Sequence, residues 1–95
     1  MDTKKITKIM KALSNPNRFE IFMEISKSNQ SSYKDEECFV YDIIEKFNIG
    51  APTISHHLKE LSNADLISTE RKGKFLIARI NKETLKEFSD VINLK

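Results

Sequence analysis

The segment Gly50–Leu61, which reads GAPTISHHLKEL, decides the fold. Ile54, Leu58 and Leu61 recur at i, i+4 and i+7, the spacing that places side chains on one face of a helix. We therefore predict a helix over residues 51–64 with a single buried apolar stripe.

The opposite side of this helix is polar. At about 100° per residue, His56 points away from the apolar stripe, and Thr53, Ser55 and Lys59 lie on its flanks. Short side chains that donate and accept hydrogen bonds are suited to base edges in a major groove. We predict that these four residues contact DNA, Lys59 at a phosphate. For Thr53 and Ser55, helix capping or simple exposure is the alternative.

The two adjacent histidines have separate roles. His57 lies about 60° from the apolar stripe, so a buried structural role and a phosphate contact are equally open for it. Helical metal ligands are spaced i, i+3 or i, i+4, and neighbouring residues diverge by about 100°, so His56 and His57 are not predicted to share a metal.

A basic hairpin follows the helix. Residues 66–70 and 75–80 are rich in Ile, Leu and Phe and are predicted to be two strands around a turn at Gly73. Arg71, Lys72 and Lys74 surround that turn, and we predict that they contact phosphates or the minor groove. Helix and hairpin together predict a winged helix-turn-helix that binds double-stranded DNA.

The remaining sequence completes a mainly α (α+β) fold of five helices with a two-stranded hairpin wing. Helical spacing predicts a first helix at 3–13, a second from Asn15-Pro16 to near Ser28, and a short third at 41–47. A polar, acidic loop should cover 28–37. Three further features are a short edge strand at 38–40, a glycine with positive φ in the turn 48–50, and a last helix at 82–93.

Residues 1–95 form one domain, because a chain of this length buries one small core. The helices at 3–13 and 82–93 are amphipathic, and the winged core has little room for both apolar faces. We therefore expect these terminal helices to form the interface of a homodimer. Such a dimer would present two reading helices to successive major grooves, roughly 34 Å apart.

Composition limits the other function classes. The net charge is +2, no apolar run is long enough for a membrane span, and we expect a cytoplasmic protein. There is no glycine-rich phosphate loop, nucleophile–base pair or metal-ligand spacing, so we expect no enzyme and no cofactor. The single cysteine, Cys38, is most typical of a small buried residue. A redox switch or an intermolecular disulfide is the alternative.

Three segments resemble the ArsR-type (ArsR/SmtB) family of repressors. They are Lys11–Arg18 (KALSNPNR), Thr53–Leu61 (TISHHLKEL) and Gly73–Ile80 (GKFLIARI). The resemblance implies a homodimeric winged-helix repressor whose terminal helices make the dimer contacts. Arg18 lies near a helix start, where a phosphate contact and a structural ion pair are both open.

The metal-binding positions of that family are not matched. Where many relatives carry a Cys-x-Cys pair, this chain reads Phe39-Val40-Tyr41, and its last helix has Glu83, Glu87 and Asp90 but no histidine. We predict no metal site and leave any effector unknown. Two other functions stay open: a winged helix that binds a protein, and a sensor of a metal or small ligand with a non-standard site.

Overall fold

The computed structural model describes residues 1–31 and 38–93. Within them lie five helices and three strands: α1 (Thr3–Leu13), α2 (Pro16–Ser31), β1 (Cys38–Phe39), α3 (Val40–Phe47), α4 (Ala51–Asn63), β2 (Ile67–Lys72), β3 (Phe75–Ile80) and α5 (Lys82–Ile92). The sheet is antiparallel with order β1-β3-β2. The mainly helical winged fold is confirmed, and the predicted edge strand adds a third strand to the hairpin. No helix among the described residues is long and apolar enough to cross a membrane.

Polar side chains cap three of the helices. Asp2 accepts a hydrogen bond from the Lys5 N–H (2.8 Å), Asn15 from the Arg18 N–H (3.0 Å) and Asn81 from the Thr84 N–H (3.2 Å). Each bond satisfies one of the N–H groups that the first turn of a helix leaves without a partner. Asn15 and Asn81 thus stabilise the starts of α2 and α5.

The predicted end of the second helix is wrong. Helix α2 continues to Ser31, past the predicted end near Ser28. Serine and asparagine favour turns but cost a helix less than about 1 kcal/mol each, and neither glycine nor proline stands at 28–31 to stop the helix. The rest of the predicted acidic loop, at 32–37, lies outside the described residues.

The wing turn is shorter than predicted. Strand β2 runs to Lys72, which pairs with Phe75, so the turn consists of Gly73 and Lys74 alone. Gly73 has φ +60°, and Lys74 does not have a positive φ. Glycine with positive φ at the first of two turn residues is the pattern of a type II′ turn. Arg71 and Lys72 therefore lie in a strand.

The turn between α3 and α4 corrects a third prediction. Asn48, not the glycine, adopts the left-handed conformation, with φ 51°. Asparagine tolerates this region better than most residues, because its short side chain can bond locally. Gly50 has φ −56° and is the N-cap of α4.

One apolar core holds the elements together. Its fully buried side chains come from helices α1 to α4, from the residue before β2 and from β3. They are Ile9, Ile21, Ile25, Ile43, Ile54, Leu61, Leu66 and Ile77. Helix α4 packs on α1, α2, α3 and β2, and the prediction that Ile54, Leu58 and Leu61 form its buried stripe is confirmed. The position of α4 is therefore set from several sides.

The two terminal helices differ in how they use their apolar faces. Helix α1 buries Ile9 and Ala12 in the core of its own chain, so the expectation that the core has little room for both terminal apolar faces does not hold for α1. Helix α5 packs Leu85 and Phe88 partly against the core and leaves Val91 and Ile92 exposed, at 44% and 46%. The end of α5 thus leaves two large apolar side chains exposed, and α1 leaves Met10 exposed, at 49%.

Candidate nucleic-acid interface

Helix α4 has a buried and an exposed side. Ile54, Leu58 and Leu61 are buried, whereas Thr53, Ser55, His56 and Lys59 are all exposed. The structure thus brings four of the predicted contact residues onto the accessible part of one rigid helix. Their arrangement permits hydrogen bonding to a partner that lies along this helix.

The start of α4 is built from backbone groups. The Gly50 carbonyl accepts hydrogen bonds from the N–H groups of Thr53 and Ile54, at 3.0 and 3.1 Å. No side chain caps this end, so the capping alternative for Thr53 is wrong. Among the residues that the structure describes, the Thr53 and Ser55 hydroxyls have no hydrogen-bond partner. Both hydroxyls are available to an external partner.

A groove separates α4 from the wing. It is lined on the helix side by Ser55, Lys59 and Ser62 and on the sheet side by Thr69 and Leu76. The lining includes hydroxyl groups and the Lys59 ammonium, and Leu58 contributes apolar surface. Helix α4 and the strands of the hairpin therefore border the same groove.

The wing carries the predicted cations at its outer end. Arg71, Lys72 and Lys74 are exposed, and the Lys74 ammonium lies 5.6 Å from the centroid of the Phe75 ring. Phe75 in turn meets Phe39 of β1 edge-on, with centroids 5.6 Å apart. Two aromatic rings therefore support the base of the turn, and the positive charges lie beyond them.

Of the two roles left open for His57, its surroundings fit the buried structural one. Its side chain is 6% exposed, and Nδ1 accepts a hydrogen bond of 3.2 Å from Arg18 Nε. Burial, the Arg18 charge and His56 together lower the pKa of His57. The ring is thus held neutral, as an acceptor rather than a cation.

Of the two alternatives for Arg18, the structural role fits its contacts, but neither contact is an ion pair. Besides the bond to His57, its Nη1 donates to the Ala12 carbonyl at 3.2 Å. Both partners are uncharged groups. The sequence could not indicate this pairing, because Arg18 and His57 are 39 residues apart.

Cys38 and the acidic groups form no metal site in the described part of the chain. Cys38 is 3% exposed, and burial raises the pKa of its thiol although a hydrogen bond with Ser28 opposes that shift. Buried, protonated thiols are poor nucleophiles. Across residues 1–31 and 38–93, no three His, Cys, Asp or Glu side chains are grouped so that they could hold a metal ion.

Sequence comparison gives a consistent set of relatives. Residues 15–69 match the model of a family described as bacterial regulatory protein, arsR family. The chain is 33% identical over 93 residues to an arsenical resistance operon repressor of Staphylococcus xylosus, covering 98% of this chain and 78% of that protein. It is 37% identical over 79 residues to the transcriptional repressor SdpR of Bacillus subtilis, covering 83% and 79%.

Solved structures show the same fold. A homodimeric winged helix-turn-helix DNA-binding domain from Mycobacterium bovis superimposes with a TM-score of 0.73 and 22% identity, covering 93% of this chain and 75% of that one. The family match includes α4 but ends before the tip of the wing.

Proposed function

This chain belongs to the arsR family of bacterial regulatory proteins, and we propose that it is a sequence-specific, DNA-binding transcriptional repressor that acts as a homodimer. The observation that carries this proposal is the exposed polar face of α4 next to the basic wing. Such a protein works beside the chromosome, in the cytoplasm.

Helix α4 is the element proposed to enter the major groove. Thr53, Ser55 and His56 have short or flat polar side chains, which can approach base edges closely. Lys59, on the flank that faces the wing, has the reach and charge for a phosphate. His57 is buried, and we assign it a supporting role rather than a DNA contact.

The wing is proposed to supply affinity without sequence information. Arg71, Lys72 and Lys74 are exposed on an extended hairpin and can reach phosphates or the minor groove beside the site that α4 occupies. Each phosphate contact releases counterions, so binding should weaken as the salt concentration rises.

Dimerisation is proposed to use α5. Val91 and Ile92 are large, exposed apolar side chains near the end of this helix, and a second copy would remove them from water. The structurally similar domain from Mycobacterium bovis is homodimeric. The exposed Met10 of α1 is proposed to add to this interface.

In vitro selection from random duplexes tests the proposal. A homodimer should enrich an inverted repeat whose half-sites lie about 10 bp apart, because each half-site faces one reading helix. Sedimentation should show a dimer that Ile92→Glu dissociates, with Lys86→Glu on the same helix as the control. Recovery of no enriched sequence would contradict sequence-specific binding, and a monomer would contradict the dimer.

A further inference from the structure

Arg18 joins three helices at the back of α4. It lies in the first turn of α2, its Nη1 donates to the Ala12 carbonyl in α1, and its Nε donates to His57 in α4. Both bonds measure 3.2 Å. One guanidinium thus connects α4 to α1 and α2, two of the three helices on which it packs.

We propose that Arg18 and His57 are positioning residues for DNA recognition: neutral His57, held by Arg18, fixes the orientation of α4, and protonation of His57 releases it. The proposal rests on the proposed function, since the orientation matters because α4 reads DNA. It names a proton as the signal that weakens DNA binding.

The hydrogen bond between Arg18 and His57 restricts rotation of α4, which apolar packing alone does not do. Helix α4 packs on the core through Ile54, Leu58 and Leu61, but apolar contact is non-directional and permits small rotations about the helix axis. A hydrogen bond weakens steeply as its angle changes. His57 directly follows His56, so fixing the His57 ring also fixes the backbone that carries the neighbouring exposed side chain.

Protonation would remove this bond. Nδ1 can accept from Arg18 only while it carries no proton, and an imidazolium would face the guanidinium with like charge. The charged groups that act on His57 are Arg18 from α2 and His56 from α4 itself. Both disfavour the charged ring, as does its burial.

The direction of the pH effect follows. The pKa of His57 is lower in the folded protein than the ordinary histidine value of 6.5. As the pH drops below 6.5, the unfolded chain therefore binds a proton at His57 before the folded protein does, and the free energy of unfolding falls. Below that lowered pKa, His57 is charged in the folded protein as well, and α4 loses its bond to Arg18.

The experiment separates the two histidines, which are the only ones in the chain. All variants carry His56→Gln, so that His57 is the one histidine left in the protein. To this background we add His57→Gln, whose amide oxygen can still accept from Arg18 but does not titrate, or His57→Leu, which fills the space without an acceptor. A selected duplex is titrated at several pH values between 7.5 and 5, and amide hydrogen exchange of α4 is measured without DNA.

We expect the background protein to lose about 3- to 10-fold in affinity on acidification, the equivalent of one hydrogen bond. His57→Gln should bind like the background at pH 7.5 and respond less to pH. His57→Leu should bind weakly at every pH, and its α4 amides should exchange faster while those of β3 stay protected.

Equal pH responses in the background and His57→Gln proteins, or unchanged α4 exchange in His57→Leu, would overturn the positioning role. Failure of the unmodified protein to bind any duplex would instead contradict the proposed function. In that case the exchange of α4 amides in the background protein at the same pH values still decides the positioning role.

Discussion

Helix α4 and the wing are neighbours with opposite constructions. The helix packs against three other helices and a strand, and its exposed face carries mostly short polar groups. The wing extends outward, and its tip carries long cationic side chains. Short groups on a rigid support can discriminate between bases, whereas long mobile charges hold any phosphate backbone. The contrast separates specificity from affinity within one surface.

The largest expected effect comes from the buried side of α4. Leu61→Ala should lower the free energy of unfolding by about 2–5 kcal/mol, because it leaves a cavity in the core. Urea unfolding measures this loss. Leu76→Ala, in the partly buried β3 position facing the groove, is the matched control and should cost less. Equal losses would mean that the wing is as firmly packed as the helix.

The exposed side of α4 should control discrimination. His56→Ala should reduce the preference for a selected duplex over a scrambled one by about 1–3 kcal/mol, the value of a good base contact. Competition titrations with both duplexes measure the preference. Because His56 is exposed, stability should not change. A uniform loss of affinity for both duplexes would place His56 at a phosphate instead.

The glycine at the start of α4 and the glycine in the turn of the wing should respond differently. Gly73→Ala should destabilise the wing by about 1–2 kcal/mol, because its φ of +60° disfavours a Cβ although the space around it is open. Gly50→Ala should cost less, since its φ is negative and an added Cβ would meet only Pro52 Cδ, at 3.8 Å. Thermal unfolding measures both, and the reverse order would contradict the turn assignment.

The smallest change in discrimination should come from the wing. Arg71→Ala should weaken binding to selected and scrambled duplexes by the same factor and reduce the salt slope by about 1, as the loss of one phosphate contact does. Anisotropy titrations over a salt series measure both values. Lys86→Ala removes the same charge from α5 and should leave the slope unchanged. A loss confined to the selected duplex would indicate that Arg71 reads bases.

The periodic spacing of apolar residues was the most informative feature of the sequence about the fold. The spacing of Ile54, Leu58 and Leu61 predicted which side of α4 is buried, because a regular helix converts spacing directly into direction. The hairpin cations were likewise predictable from their position around Gly73. The contact of Arg18 with His57 was not, since it depends on how α2 and α4 pack. Local turn preference also failed at Ser28–Ser31, where the helix continued.

Sequence reading by the exposed face of α4 is tested by the ratio of affinities for a selected and a scrambled duplex, followed as the salt concentration rises. We expect a ratio of about 10³ or more that persists while both affinities fall. A ratio near one at every salt concentration would contradict it.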